Sequence, residues 1–175
     1  MDGSSSAADL AAPDGSATLD ISRATPADAA PLLALQRRAY EAEAHLYDWT
    51  IPPLTQSLAL LLAEIESTTV LKACIGEVLV GSVRARLAEQ TCLIGRLFVA
   101  PERQGQGIGS ALLVTIEAAF ASAEVFELFT GSRSVRNMGL YRRHDYEVVA
   151  TKRLSAEVSI VVMRKSACGA ATNSI

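Results

Sequence analysis

Basic residues are not in excess in this chain: 16 Lys and Arg stand against 19 Asp and Glu, for a formal net charge of −3. A protein that binds nucleic-acid phosphates needs a dense basic face, so that partner class is excluded. Aromatic residues, at 5%, are too few for a base-stacking platform. Long hydrophobic runs are missing too. The longest, Leu-Ala-Leu-Leu-Leu-Ala at 58–63, is far short of the ~18 residues of a membrane span. The opening Met1-Asp2-Gly3 carries no basic segment followed by an apolar one, so no secretory signal is expected. A soluble, cytoplasmic protein without a membrane partner is the expectation. Cys74, Cys92 and Cys168 are widely spaced, with no Cys-x-x-Cys pair, and His45 and His144 are the only histidines. These absences argue against a metal site or redox dithiol and for reduced, mostly buried thiols.

What is present is apolar material: half of the 175 residues are hydrophobic, enough for one sizeable core. Residues 1–17 and 166–175 are mostly Ala, Ser, Gly, Thr, Asn and Asp without apolar periodicity, and read as flexible tails around a single domain at 18–165. Residues 19–23 suggest a strand. Thr25-Pro26-Ala27-Asp28 has the form of a helix cap with Pro at the first position, leading a helix to about residue 46, although Pro31 could delay its start. After Pro52-Pro53, Leu54, Leu58, Leu61, Leu62 and Ile65 keep helical spacing to residue 67. Three β-rich runs follow at 69–75, 78–87 and 91–99, joined by turns so short that neighbours must be antiparallel. A helix at 107–123, a strand at 125–130, a short helix at 135–144 and strands at 146–154 and 157–164 complete the order. The fold class is therefore mixed α/β: a mostly antiparallel sheet of six or seven strands, flanked on both faces by about four helices.

The segment richest in chemistry is Leu97-Phe98-Val99-Ala100-Pro101-Glu102-Arg103-Gln104-Gly105-Gln106-Gly107-Ile108-Gly109-Ser110. A strand enters a turn with three alternating glycines that opens into an amphipathic helix. Such a turn leaves backbone N–H groups unpaired at the positive end of the helix dipole, where they can surround a phosphate or pyrophosphate. Its glycines could instead serve only tight turning and close packing. A dinucleotide fingerprint would need glycine where Ser110 stands, and a Walker A loop would need a lysine that the turn lacks.

Val99, Pro101, Gln104, Gly107 and Gly109 spell Val-x-Pro-x-x-Gln-x-x-Gly-x-Gly. In this the chain resembles the GNAT superfamily of N-acetyltransferases, whose pyrophosphate loop has the form Gln/Arg-x-x-Gly-x-Gly/Ala. Downstream, Asn137-Met138-Gly139-Leu140-Tyr141, running on to Tyr146, is similar to the family's second signature. The element order is also the family's. The resemblance implies a GNAT-like acyl-CoA N-acyltransferase with acetyl-CoA (coenzyme A) as cosubstrate and a primary amine of a small molecule or peptide as acceptor. It further implies that the strand with Leu97, Phe98 and Val99 diverges from the strand at 125–130 and offers backbone groups to the pantetheine arm. Gln104, Gly105, Gln106, Gly107, Ile108, Gly109 and Ser110 would hold the pyrophosphate, with Asn137 and Tyr141 beside the cofactor. Tyr141 is the candidate general acid, since a phenol of reference pKa ~10 can return a proton to a departing thiolate; it could otherwise be a core anchor.

The chain departs from the family at Arg96, where many relatives carry a Glu that takes the proton from the amine, and at Asp145, where glycine is usual. Glu41, Glu43 and Glu89 are weak substitutes for the missing base. Arg84 and Arg86 share a strand face with Arg96 on the next strand, so Arg84 and Arg96 could line a pocket for a carboxylate-bearing acceptor, or form a solvated stripe. The Trp49 and Pro52-Pro53 segment would wall that pocket or simply stiffen a connector. A coenzyme A-binding sensor or interaction domain without turnover is the alternative function, and the closing strands could pair edge to edge in a homodimer.

Overall fold

The computed structural model describes residues 18–45, 51–156 and 158–167. Strand β1 (Leu19–Arg23) leads through a 3₁₀ turn (Pro26–Asp28) into α1 (Ala29–Ala44). Then come α2 (Pro52–Thr55), α3 (Leu58–Ser67), β2 (Thr69–Ile75), β3 (Val78–Ala88) and β4 (Thr91–Val99). A second 3₁₀ turn, α4 (Ile108–Ala118), β5 (Val125–Gly131), α5 (Val135–Arg143), β6 (Glu147–Arg153) and β7 (Ser159–Ser166) complete the order. The seven strands form one sheet in the order β1-β2-β3-β4-β5-β7-β6. Every neighbouring pair is antiparallel except β4–β5, which is parallel. Side chains alternate across this sheet, so consecutive residues serve opposite cores. Val70 and Phe98 pack under α1 and α3 with Leu32, Leu35, Leu61 and Ile65. Leu71, Ala73, Val83 and Ile94 pack with Leu112, Leu113 and Ile116 of α4 and Tyr141 of α5.

Local chemistry sets the boundaries. Asp28 closes the start of the first helical segment, accepting from the Thr25 N–H at 2.8 Å and the Thr25 hydroxyl at 3.0 Å. Pro31 does not delay α1, because it falls in the first turn, where its missing N–H has no helical acceptor. The continuous helix expected from Leu54 to Ser67 is instead two helices. Gln56 is extended at the break, and the Ser57 side chain caps α3 by accepting from Leu60 N–H at 3.2 Å. Helix α4 stops at Ala118 rather than 123, the chain passing into turns at 119–123. Strand β7 continues to Ser166, and Ala167 N–H bonds Glu124 O at 2.8 Å. The C-terminal tail therefore cannot begin at 166, because both residues are tied to neighbouring backbone. The expected tail at 1–17, the rest of the C-terminal one, Cys168 and Trp49 lie outside the described residues. No helix among the described residues is long and apolar enough to cross a membrane.

Two features in this framework give measurable consequences. Burial alone would raise the Asp28 pKa, but hydrogen bonds from Lys72 and Thr25 outweigh it and hold the carboxyl below its ordinary 3.8. Lys72 Nζ lies 2.7 Å from Asp28 Oδ1, tying β2 to the start of α1. A depressed carboxylate stabilises above the unfolded pKa and loses that contribution as pH falls through the folded one. Asp28→Asn should thus cost about 1 kcal/mol at neutral pH, a difference from the parent that shrinks in denaturant melts as pH falls below about 4. Asp145 has φ +66° in the turn that leaves α5. Asp145→Val should destabilise by about 1–2 kcal/mol, whereas Asp145→Gly should melt at or above the parental temperature.

Candidate functional site

Strands β4 and β5 pair only at Thr91↔Val125, Cys92↔Phe126 and Leu93↔Glu127. Beyond Leu93 they separate, so the β5-facing edge of β4 is without a strand partner from Ile94 onward. A bulge accompanies the separation. Arg84 pairs with Gly95 and Ser82 with Phe98, leaving Arg96 and Leu97 together opposite Val83, and Arg96 has φ +49°. An extra residue in one strand bends it and re-aims its side chains. Two cavities open at the split, and Tyr40, Leu97 and Asn137 line both.

The first cavity is a groove of about 160 Å³ along the end of β4, the glycine turn and α5. Gly105 and Gly107 adopt φ +77° and +82°, and a Cβ built on either meets nothing within 4 Å, so conformation rather than crowding demands glycine there. Gly109 differs: its Cβ would lie 3.3 Å from the Leu140 side chain, so it lets α4 approach α5. The first helical bond out of the turn is Ala111 N–H to Gly107 O at 3.0 Å. The amides of Ile108, Gly109 and Ser110 precede it and have no helical acceptor. Gln104 braces the turn: its Nε2 donates to Val99 O at 3.2 Å, and its Oε1 accepts from Arg136. Arg103, Arg136 and Arg143 also line the groove, adding positive charge to the helix dipole. An open concavity of donor amides and guanidiniums fits a diphosphate.

The second cavity, about 360 Å³, is lined by apolar residues that include Ile51, Pro52, Pro53, Leu128, Phe129 and Ile160, together with Tyr40, Arg84, Arg96, Thr130, Asn137 and Tyr141. A polar chain fixes its α2 wall. The buried Gln36 donates to Pro53 O at 2.8 Å and to Gln56 Oε1 at 2.9 Å, Gln56 donates to Glu64 at 2.6 Å, and Glu64 pairs with Arg84. Burial first, and the neighbouring Arg96 second, push the Arg84 pKa down to about 10, still charged at neutrality. Burial also lowers that of Arg96. On α5, Tyr141 is 6% exposed, and Asn137 Nδ2 donates to Thr130 Oγ1 across the split at 3.5 Å. Tyr146 is used differently. Its hydroxyl donates to Glu117 at 2.7 Å, Lys165 reaches the other oxygen of that carboxylate at 2.6 Å, and burial followed by Glu117 raises the phenol's pKa.

Of the residues singled out from sequence, Leu97, Phe98, Val99, Gln104, Gly105, Gly107, Ile108, Gly109, Ser110 and Asn137 line the groove, and Tyr141, Arg84 and Arg96 line the second cavity. Gln106 is exposed and lines neither. The Gln104 amide points back to Pro101 O at 3.5 Å, so its side chain rather than its N–H serves the turn. Tyr141, expected at both positions, lines only the second cavity. Glu89 sits in the β3–β4 turn, at the opposite end of β4 from the glycine turn. Glu41 lines neither cavity, and the side chain of Glu43 lies outside the described residues. Sequence reasoning missed Tyr40, Arg103, Arg136 and Arg143. Spacing carried a signal for the last two, since Arg136, Leu140 and Arg143 fall on one helical face. Among the described residues, no cluster of His, Cys, Asp and Glu could hold a metal ion.

The sequence profile described as an acetyltransferase (GNAT) domain matches residues 61–148. No curated protein sequence matches the chain. Among solved structures, the PaiA N-acetyltransferase of Thermoplasma acidophilum, in complex with coenzyme A, is 18% identical, with a TM-score of 0.73 over 85% of this chain and 99% of that one. The ribosomal-protein-S18-alanine N-acetyltransferase of Escherichia coli is 15% identical, with a TM-score of 0.72 over 90% and 99%. YncA of Salmonella typhimurium, solved with its cofactor acetyl-CoA, is 20% identical, with a TM-score of 0.71 over 90% and 98%. These likenesses show a shared fold. The matched profile spans half of the sequence and holds both the glycine turn and the Asn137–Tyr141 segment: the chain belongs to the GNAT acetyltransferase family.

Proposed function

We propose that the protein is an acetyl-CoA-dependent N-acetyltransferase that acylates a primary amine of a small molecule or peptide. The observation that carries this reading is the meeting of two cavities at Tyr40, Leu97 and Asn137. One is suited to a diphosphate and the other is walled for an acceptor. Bound acetyl-CoA would supply the acetyl group as a thioester. The turn amides of residues 108–110 and the nearby arginines bind phosphate oxygens. The unpaired edge of β4 beyond Leu93 offers amide and carbonyl groups to an extended arm, as to an added strand. These contacts orient the reacting carbon beside the acceptor cavity and reduce the barrier mainly by positioning.

Proton handling follows from the lining. No carboxylate or histidine lines the second cavity among the described residues. The acceptor must therefore react as the neutral amine, a form favoured by two guanidiniums that repel an ammonium. Tyr141 is the proposed donor to the departing thiolate, its hydroxyl-bearing side chain lining the acceptor cavity while that of Tyr146 is committed to Glu117. A single domain, which runs from residue 18 through Ala167, and the cytoplasm, which holds the thioester pool, complete the proposal.

Calorimetry with acetyl-CoA tests the groove. The parent should bind, and Gly107→Glu, checked for folding by circular dichroism, should lose about tenfold or more in affinity, roughly 1.4 kcal/mol. A parent that binds no acetyl-CoA at millimolar ligand overturns the reading. For Tyr141→Phe, thiol release measured against an amine panel should slow by about 10²-fold or more while acetyl-CoA affinity stays near parental. Turnover at the parental rate would remove Tyr141 from the proton path.

A further inference from the structure

Arg96 is a cation that lines a largely apolar cavity and has no anionic partner among the described residues. Its Nε is sealed from solvent with no hydrogen-bond acceptor, and no carboxylate lies within ion-pair distance of it among the described residues. Arg84, which feels Arg96 as a like charge, lines the same cavity. Arg84 differs in pairing with Glu64. A partly buried guanidinium without a counter-charge is unfavourable, and the left-handed backbone at Arg96 adds strain. Strain and uncompensated charge at one residue, beside the opening where a ligand would sit, mark a side chain aimed for binding.

The complementary ligand follows from chemistry. A planar guanidinium fork matches a carboxylate, and the apolar walls formed by Ile51, Pro53, Leu128 and Ile160 match a hydrocarbon skeleton. A cavity of about 360 Å³ holds a molecule the size of an amino acid. We infer that the acceptor is an amine whose own skeleton bears a carboxylate, an amino acid with an apolar side chain being the simplest case, and that Arg96, with Arg84 beside it, binds that carboxylate. This inference rests on the acetyl-transfer reading. The carboxylate neutralises the charge that the cavity holds alone, while the guanidiniums keep the amine from protonating.

The test compares L-amino acids with their α-carboxamides as acceptors, following thiol release from acetyl-CoA, with calorimetric acetyl-CoA binding in parallel. At least one apolar amino acid should exceed its carboxamide by about tenfold or more in kcat/KM, the selectivity of a charge-assisted contact. Arg96→Gln should bring that ratio within about threefold, and Arg96→Lys should restore part of it. Should Arg96→Gln not fold, the parent alone decides: 4-methylpentanoate should inhibit transfer and 4-methylpentanamide should not. Acids and amides used alike by the parent, no transfer to any free acid, or a ratio unchanged in folded Arg96→Gln each overturn the inference. If acetyl-CoA binds while free acids hold no advantage, only this inference falls; if acetyl-CoA does not bind, the acetyl-transfer reading falls with it.

Discussion

The groove and the second cavity both depend on two parallel strands that hydrogen-bond for three residues and then part. A β-strand edge without a partner leaves N–H and C=O groups that must find water or a ligand. Here that edge is inside the fold, between β4 and β5. The sheet tolerates the split because each strand is secured on its other side, β4 by β3 and β5 by β7 along its whole length. The bulge at Arg96 and Leu97 bends β4 at the point where its partner departs.

The opening remains shaped because its walls are tied from both faces of the sheet. On the α1–α3 face, the chain of amides and carboxylate from Gln36 through Gln56 to Glu64 fastens the Pro52-Pro53 turn and ends at Arg84. On the other face, Tyr146, Glu117 and Lys165 make a satisfied polar cluster beneath the exit from α5, with the Tyr146 ring 6.1 Å from that of Tyr141. Networks of this kind rigidify what they touch. Tyr40, packed edge-on against Phe98 at 6.2 Å, stands where the two cavities meet. Charge is divided in the same way, with Arg103, Arg136 and Arg143 at the groove and Arg84 and Arg96 in the other cavity.

Much of this was legible in the residues. Alternating apolar runs and short turns gave the β2–β4 meander. The strand, glycine turn and amphipathic helix around Gly107 were legible as a unit, because glycine spacing and helix polarity are local properties. The Leu54–Ser67 region was misread because apolar spacing continues through the break. Only the buried partners of Gln56 and the cap at Ser57 explain why the helix restarts there. The groove arginines on α5 were visible as a helical face but meaningless without knowing which face meets the glycine turn.

The sequence by itself determined the element order, the layered mixed sheet and the location of the glycine turn, since each follows from patterns within a dozen residues. Only the tertiary structure decided that Tyr141 lines the second cavity while Tyr146 is tied to Glu117, and that among the described residues Arg84 has an ionic partner and Arg96 has none. Pairing, burial and a shared cavity arise from residues far apart in the chain, and no local pattern encodes which partner each of two similar side chains will meet.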